Sequence, residues 1–367
     1  MAKSLAENPC GATVTAGFDG YIDSILRVRK QSGEEGDSYF NTLSEFGRYV
    51  EGKSGRSCSL ELKQTTEKIG GNMPIFSLAL SAFGLKVNCI GAAGYPDILP
   101  LFGPIAEEGR ILSVCEPGKC QALEFDDGKL MLARNEDIEN LDFSVLEERA
   151  GIEKLISFSD EADILAFLNW SELKGSSSIW RGFIDKVLPQ LKLRNRKMFI
   201  DLSDCSHRKA SDITEAVDMM RELGVFCDVT VSFNRNEAEC VAEAMGMDTE
   251  GDISILARNL YDVIGCAYLI IHLVDSCYCV YNGKVFLQNN HHISKPVLST
   301  GGGDNFNAGF VYGLAAGYGV EECMAIANTA SSYYVSHGHS PNIEELISWM
   351  LERVDIECGI VGLSTVK

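Results

Sequence analysis

The chain is short of basic residues: 32 Lys and Arg stand against 52 Asp and Glu in 367 residues, a formal net charge of -20. Nucleic acid and anionic membranes are both bound by clustered Lys and Arg, so neither is an expected partner. Long apolar runs are missing as well. The most apolar strand, 267–273, contains His272, is soon followed by Asp275, and is too short to span a bilayer. Residues 1–11 lack the apolar core of a signal peptide. Metal-finger spacing is absent too. There are thirteen cysteines, but the tightest pair is Cys277-Tyr-Cys279, with no paired C-x-x-C and no His at finger distance. Most lie inside apolar runs, as Cys89, Cys266 and Cys279 do, which predicts reduced, buried thiols in a cytoplasmic protein. No internal repeat or low-complexity tract is found. What is present is a 46% share of apolar residues, enough for one α/β domain of generous size or a core domain with a small appendage.

Hydrophobic periodicity and turn residues lay out the rest. Strands are predicted at 12–17, 25–30 and 86–92, and helices at 73–83, closed by Gly84, and at 99–107. Residues 31–66 are polar, Gly/Ser-rich and acidic in places, and read as an insertion without evident structure. Segments 119–125 and 129–133 flank Asp126-Asp127-Gly128, a hairpin signal. From Asp163 on, strands at 164–168, 198–201, 229–233 and 268–273 alternate with helices at 179–191, 211–223, 236–244 and 253–264. A hairpin at Asn282-Gly283 and a helical last third after Gly303 follow. Such βαβα alternation predicts a parallel sheet covered on both faces, with ligands at the carboxyl ends of its strands.

The most informative stretch runs from Leu298 to Phe310. Its three glycines, Gly301, Gly302 and Gly303, free the backbone to turn and to approach a ligand closely. Phe306, Phe310, Leu314 and Ala315 then fall on one helical face. A glycine loop feeding a helix N-terminus is an anion site, because unpaired amides and the positive end of the helix dipole point the same way. Asp304, one residue past the glycines, is expected to be held ionised beside that anion hole. A base next to an anion hole suits phosphoryl transfer.

Three further patches belong at the same sheet edge. Asp19 and Asp23 offer carboxylates to the hydroxyls of a polyol, or else form a solvated turn. Gly70 and Gly71 permit close backbone approach and Asn72 supplies a donor and an acceptor, while Asn72 equally suits a helix N-cap. Asn236 and Glu239 share a helix face on which Glu239 can hold magnesium through water, and the same pair reads as an ordinary capping box.

The order of these patches, with the Gly-Gly-Gly-Asp-x-Phe-x-x-Gly-Phe run, resembles the ribokinase-like (PfkB) carbohydrate kinase family over most of the chain. The similarity is greatest at 301–338, including Asn328 in Ala-Asn-Thr-Ala, and next at 70–94. The resemblance implies one α/β kinase domain over 1–367, a three-layer αβα fold with a mainly parallel central sheet. It also implies a small β lid drawn from 24–68 and 112–136, through which relatives often dimerise. In the family the residue at Asp304 deprotonates the acceptor hydroxyl, and the backbone of Gly301, Gly302 and Gly303 forms the hole for the moving γ-phosphoryl. Asn236 and Glu239 match an N-x-x-E that organises Mg²⁺ and phosphates. Asn328 matches a position lining the adenine pocket, and His272 stands at the strand end along the nucleotide. Asp19, Asp23, Gly70, Gly71 and Asn72 match the sugar-holding region.

Departures limit what can be copied. The family's Asp-Thr before the glycine loop is Leu298 and Ser299 here, which puts a monovalent-cation site in question. An Asn usual in the first helix is Ile75. A Thr-x-Gly-x-x-Gly strand end is His272-Leu-Val274-Asp-Ser-Cys277, so a branched side chain and a thiol replace both glycines. The Asp-x-Asn-x-Arg strand is Asp201-Leu-Ser203-Asp-Cys205. The expected function is a sugar kinase that moves the terminal phosphoryl of ATP, with Mg²⁺, to a hydroxyl of a small carbohydrate. Two alternatives stay open: a kinase of the same fold acting on a nucleoside or another hydroxyl metabolite, and a non-catalytic sugar- or nucleotide-binding member. A loose likeness of residues 19–23 to ADP-dependent sugar kinases also leaves the donor open between ATP and ADP.

Overall fold

The computed structural model describes residues 5, 10–33, 36–108, 110–192, 196–290 and 293–357. Most of segment 1–11, and residues 34 and 35 of the expected insertion, lie outside the described residues. Among the described residues, fourteen strands form two sheets. The larger has nine strands in the order β14 (Lys284–Asn289), β13 (Ser276–Tyr281), β12 (Tyr268–His272), β11 (Cys227–Asn234), β10 (Arg196–Asp201), β9 (Ile164–Phe167), β1 (Thr13–Phe18), β5 (Lys86–Ala92) and β6 (Arg110–Cys115). From β12 to β6 every pairing is parallel, and β13 and β14 close one edge antiparallel. The β13–β14 connection is the expected Asn282-Gly283 turn, both residues at positive φ (47° and 69°) as a two-residue hairpin of this hand requires.

The inner strands are apolar on both faces, which is why they are buried in the middle of a sandwich. Alternate side chains go to opposite layers. Leu165, Phe167, Met198 and Ile200 join one core, built on the helices between residues 143 and 264. Ile164, Ala166 and Phe199 join the other, built on helices Asn72–Ala82, Gly302–Ala315 and Val320–His337. This is the expected three-layer αβα arrangement.

The smaller sheet comprises β2 (Tyr21–Gly33), β3 (Gly36–Tyr39), β4 (Leu62–Gly70), β7 (Gly118–Phe125) and β8 (Gly128–Arg134). It has its own small core, where Leu26, Val28, Leu123 and Phe125 pack with Phe40 and the helix Leu43–Glu51. The expected strand at 25–30 is therefore one part of a much longer strand. The supposed insertion at 31–66 supplies a strand, a helix and the start of β4. Residues 112–115, assigned to the lid from sequence, instead belong to β6 of the main sheet.

Local boundaries also shift. The 99–107 segment is a 3₁₀ turn, Pro100–Phe102, followed by the helix Gly103–Glu108. The 179–191 helix begins earlier, as Ser176–Gly182, and loosens through π and 3₁₀ turns to Gln190.

Candidate active site

Five adjacent parallel strands, β1, β9, β10, β11 and β12, end on one edge of the main sheet, and the polar residues at or just past those ends are Asp19, Asn169, Asp201, Asn234 and His272. Asp19 is completely buried. Its Oδ2 accepts hydrogen bonds from the Asn72 amide at 2.7 Å and from Asn169 Nδ2 at 2.8 Å, while Oδ1 accepts from the Met73 amide at 2.8 Å. A carboxylate from a distant strand thus caps the helix Asn72–Ala82. Asn72 is not the cap, as expected, but the first helical residue, and Gly71 stands before it with φ 94°. A side chain on Gly71 would come within 2.6 Å of Asp19 Oδ2, and one on Gly70 within 2.8 Å of Asp23 Oδ2. The two glycines make space for two of the protein's own carboxylates. Burial pushes Asp19 up to about 6, against the lowering effect of its donors. Asp23, on β2 opposite Lys68, is raised by burial and partly relieved by Lys68 and Lys129.

The glycine loop builds a second helix start. Gly301 has φ 94° and caps Gly302–Ala315, and a side chain there would strike the Tyr334 hydroxyl, which donates to Thr300 O at 3.1 Å. Asp304 is the third residue of this helix, so it sits among amides that have no carbonyl one turn back. The Asn72 side chain lies close enough to its carboxylate to favour the charged form. The helix dipole does not keep Asp304 strongly acidic, contrary to the sequence expectation. Burial first, then the nearby charges of Asp201 and Asp19 and, more weakly, Glu237, hold it well above the usual carboxylate range. Burial and Asp304 together push Tyr334 up to about 12.

Asp201 ends β10. It accepts from the Ser203 amide at 2.7 Å and from Asn307 Nδ2, and Ser232 Oγ donates to Asn307 Oδ1 at 2.8 Å. One turn after Asp304, Asn307 therefore ties the helix to both β10 and β11. Burial raises Asp201 to about 6.

A second N-x-x-E pair, Asn234 and Glu237, lies two residues before Asn236 and Glu239. Strand β11 runs on to Asn234, which caps Arg235–Ala244 in a reciprocal capping box with Glu237: the Glu237 amide donates to Asn234 Oδ1 at 2.9 Å and the Asn234 amide to Glu237 Oε2 at 2.8 Å. Glu237 is 5% exposed and held well above its usual range by burial and by Asp201. Glu239 points elsewhere, paired with Arg235 at 2.8 Å. Asn236 donates to Asp204 at 3.2 Å and lines the cavity described next.

A cavity of about 840 Å³ opens beside the glycine loop, lined among others by Asn234, His272, Val274, Gly302, Gly303 and Asn328. This size and place suit a nucleotide. His272 lies against Phe306, ring centroids 5.0 Å apart, and burial lowers it to about 4, so it is neutral at physiological pH. Leu298, where the resemblance expects an Asp, brings no carboxylate to the loop. Sequence reading named neither Asn169, Asn234, Glu237 nor Asn307 as a site residue. The signal for Glu237 was present, since Asn234 and Glu237 repeat the N-x-x-E spacing.

Fold and site together define a ribokinase-fold sugar kinase. The architecture is similar to that of a mutant phosphofructokinase-2 from Escherichia coli (TM-score 0.67, 12% identity, 93% of this chain and 99% of that one). It is also similar to Arabidopsis thaliana ribokinase complexed with ribose and ATP (TM-score 0.62, 16% identity, 93% and 99%). The chain belongs to the prokaryotic ketohexokinase family, whose profile matches residues 1–352. A ketohexokinase of Haloferax volcanii is 28% identical over 351 residues, 94% of this chain and 92% of its own length. The chain is accordingly an ATP-dependent carbohydrate phosphotransferase, and neither a nucleoside kinase nor a non-catalytic binder is favoured.

Proposed function

We propose that the enzyme phosphorylates a ketohexose, with Asp304 as the general base. The observation that carries this is the position of Asp304. It stands on the helix start that borders the nucleotide-sized cavity, and Asn72, which belongs to the Asp19–Asp23 side of the edge, lies near enough to its carboxylate to favour the charged form. A base placed between two substrate sites is what in-line transfer needs. Asp304 takes the proton of the sugar hydroxyl, the oxygen attacks the γ-phosphorus, and ADP leaves. The Gly302 amide already donates to Ser299 O at 3.1 Å, so the amides of Gly303 and Asp304 hold the charge of the transferred group. Asp23 and Asn72 contact the sugar, and Asp19 serves it indirectly by anchoring the helix that bears Asn72.

Asp201 and Glu237 suit Mg²⁺ held through water, because both are buried acids held above their usual range, Glu237 in part by Asp201, and a cation relieves both. Bound there, Mg²⁺ supplies charge neutralisation for the phosphates. Among the described residues no group of three or more His, Cys, Asp or Glu is placed to grip a metal directly. The smaller sheet acts as a lid that excludes water from the phosphoryl group. Its edge strand β8 exposes Leu130, Met131 and Leu132, which supports a homodimer through the lid. Twelve described cysteines are free thiols, and no helix among the described residues is long and apolar enough to cross a membrane, in keeping with a cytoplasmic site of action.

The test is a panel of ketohexoses, aldohexoses, ribose and nucleosides, each offered with ATP and with ADP. Highest kcat/KM for a ketohexose with ATP is expected. A nucleoside or ribose as best acceptor, or ADP as the better donor, contradicts the reading.

A further inference from the structure

A nucleotide brings several negative charges to the cavity beside the glycine loop, and little in its lining offsets them. Arg235 is the single Lys or Arg among the described residues that line it, and Asp275 lines it too. On the neighbouring helix start Asp304 is already crowded by Asp201, Asp19 and Glu237, in a chain of formal net charge -20. A polyphosphate entering here meets repulsion unless a cation faces it.

Arg235 is the first residue of the helix Arg235–Ala244. That position does not serve the helix. The positive end of the dipole disfavours a cation there. Its ion pair with Glu239, Nε to Oε1 at 2.8 Å, runs Arg before Glu, the weaker order for an i,i+4 pair. The two side chains are 60% and 32% exposed, so the pair adds little stability. What the pair does is orient the guanidinium. Glu239 takes Nε alone, and neither terminal nitrogen, Nη1 or Nη2, bonds to any described residue. Free N–H donors are thereby left at the cavity wall, in the planar fork that grips a phosphate.

We propose that Arg235 is a nucleotide-binding residue that holds the phosphates staying with the nucleoside during transfer. The proposal rests on the reading of this cavity as the nucleotide site. The amides of Gly303 and Asp304 serve the moving group, so the guanidinium, on a different helix start bordering the same cavity, falls to the rest of the polyphosphate. A group that grips those phosphates equally before and during transfer sets the KM for ATP and leaves kcat alone.

The test measures kcat, the KM of ATP and of a ketohexose, the inhibition constants of ADP and adenosine, and the melting temperature. It does so in the wild type, Arg235→Ala, Arg235→Lys, Glu239→Gln and Val274→Trp. Arg235→Ala is expected to raise the ATP KM and the ADP inhibition constant about 10-fold, the scale of a partly exposed charge-assisted hydrogen bond, with kcat within about 3-fold. The adenosine inhibition constant, the ketohexose KM and the melting temperature hold. Arg235→Lys keeps the charge without the fork and raises the ATP KM about 3-fold. Glu239→Gln breaks the same ion pair but keeps the guanidinium, and leaves the ATP KM within about 2-fold of the wild type. Val274→Trp crowds the cavity from the loop after β12 and changes the ATP KM while sparing the ketohexose KM. Suppose Val274→Trp does this, but Arg235→Ala leaves the ATP KM unchanged, weakens adenosine as much as ADP, or does no more than Glu239→Gln. The role of Arg235 is then overturned and the cavity assignment stands. If Val274→Trp changes neither the ATP KM nor the two inhibition constants, the cavity is not the nucleotide site and both fall.

Discussion

Two helices in this molecule begin alike and do different things. Each starts after a glycine with φ 94°, Gly71 in one case and Gly301 in the other. At the first, the protein fills the amide pocket with its own carboxylate: Asp19 takes the amides of Asn72 and Met73. At the second, the helix's own Asp304 sits at the third position, in a crowd of other acids, and the loop borders a large cavity. A glycine-rich helix start is thus an anion site only where the fold has not already supplied the anion. The first start is structural and places Asn72 near Asp304, whereas in the proposed mechanism the second is the one left for the transferred phosphoryl group.

The comparison breaks most visibly at Asp304. Asp304→Asn keeps the shape of the site and removes the base, so kcat is expected to fall about 10³-fold with the melting temperature held or slightly raised. Steady-state assay and thermal melting check both halves, and near-normal turnover would remove Asp304 from the mechanism. Glu237→Gln comes next. It is expected to cut turnover about 10- to 100-fold and to raise the Mg²⁺ concentration needed for half-activity, while Glu239→Gln stays within about 2-fold of the wild type. A Mg²⁺ titration of both variants separates the two assignments, and a larger effect at Glu239 would restore the sequence-based one.

At the first helix start the expected loss is in stability. Asp19→Ala leaves Asn169 and two amides without their acceptor and is expected to cost about 3 kcal/mol in urea unfolding, several times the cost of Asp23→Ala. Equal costs would make Asp19 an ordinary surface acid.

The smallest effect concerns pH. Asp201 is raised to about 6 in the folded state, so the native protein binds a proton more readily than the unfolded chain. That contribution is fully present below the ordinary carboxylate range and is lost as pH rises through about 6. The metal-free protein should therefore lose stability between about pH 4 and 6.5, and Asp201→Asn should lose less over the same window. Parallel slopes in thermal melts of the two proteins would contradict this.

Much of this arrangement was legible in the chain, for physical reasons that differ from place to place. The βαβα repeat from Asp163 on was readable because each strand is an apolar run and each helix a 3.6-residue stripe. The Asn282-Gly283 hairpin was readable because its backbone needs positive φ. The helix start at the glycine loop was readable because its turn chemistry is local. The 31–66 segment was not, since its strands face a small separate core and carry little apolar pattern. The capping role of Asp19 was hidden because its partners lie more than fifty residues away. Asn236 and Glu239 were chosen over Asn234 and Glu237 because the end of β11 was set one residue short, and two overlapping N-x-x-E spacings then cannot be told apart. Burial sets Glu237 apart from Glu239, and burial is a property of the fold.

The most direct test is a crystal structure with a ketohexose, ADP, Mg²⁺ and aluminium fluoride. The fluoride group is expected on the amides of Gly303 and Asp304, in line with a sugar hydroxyl that faces the Asp304 carboxylate, with Asp19 still bound to Asn72 and Met73. A fluoride group seated instead on the Gly70–Asn72 turn, or a sugar hydroxyl remote from Asp304, would contradict the division of labour between the two helix starts.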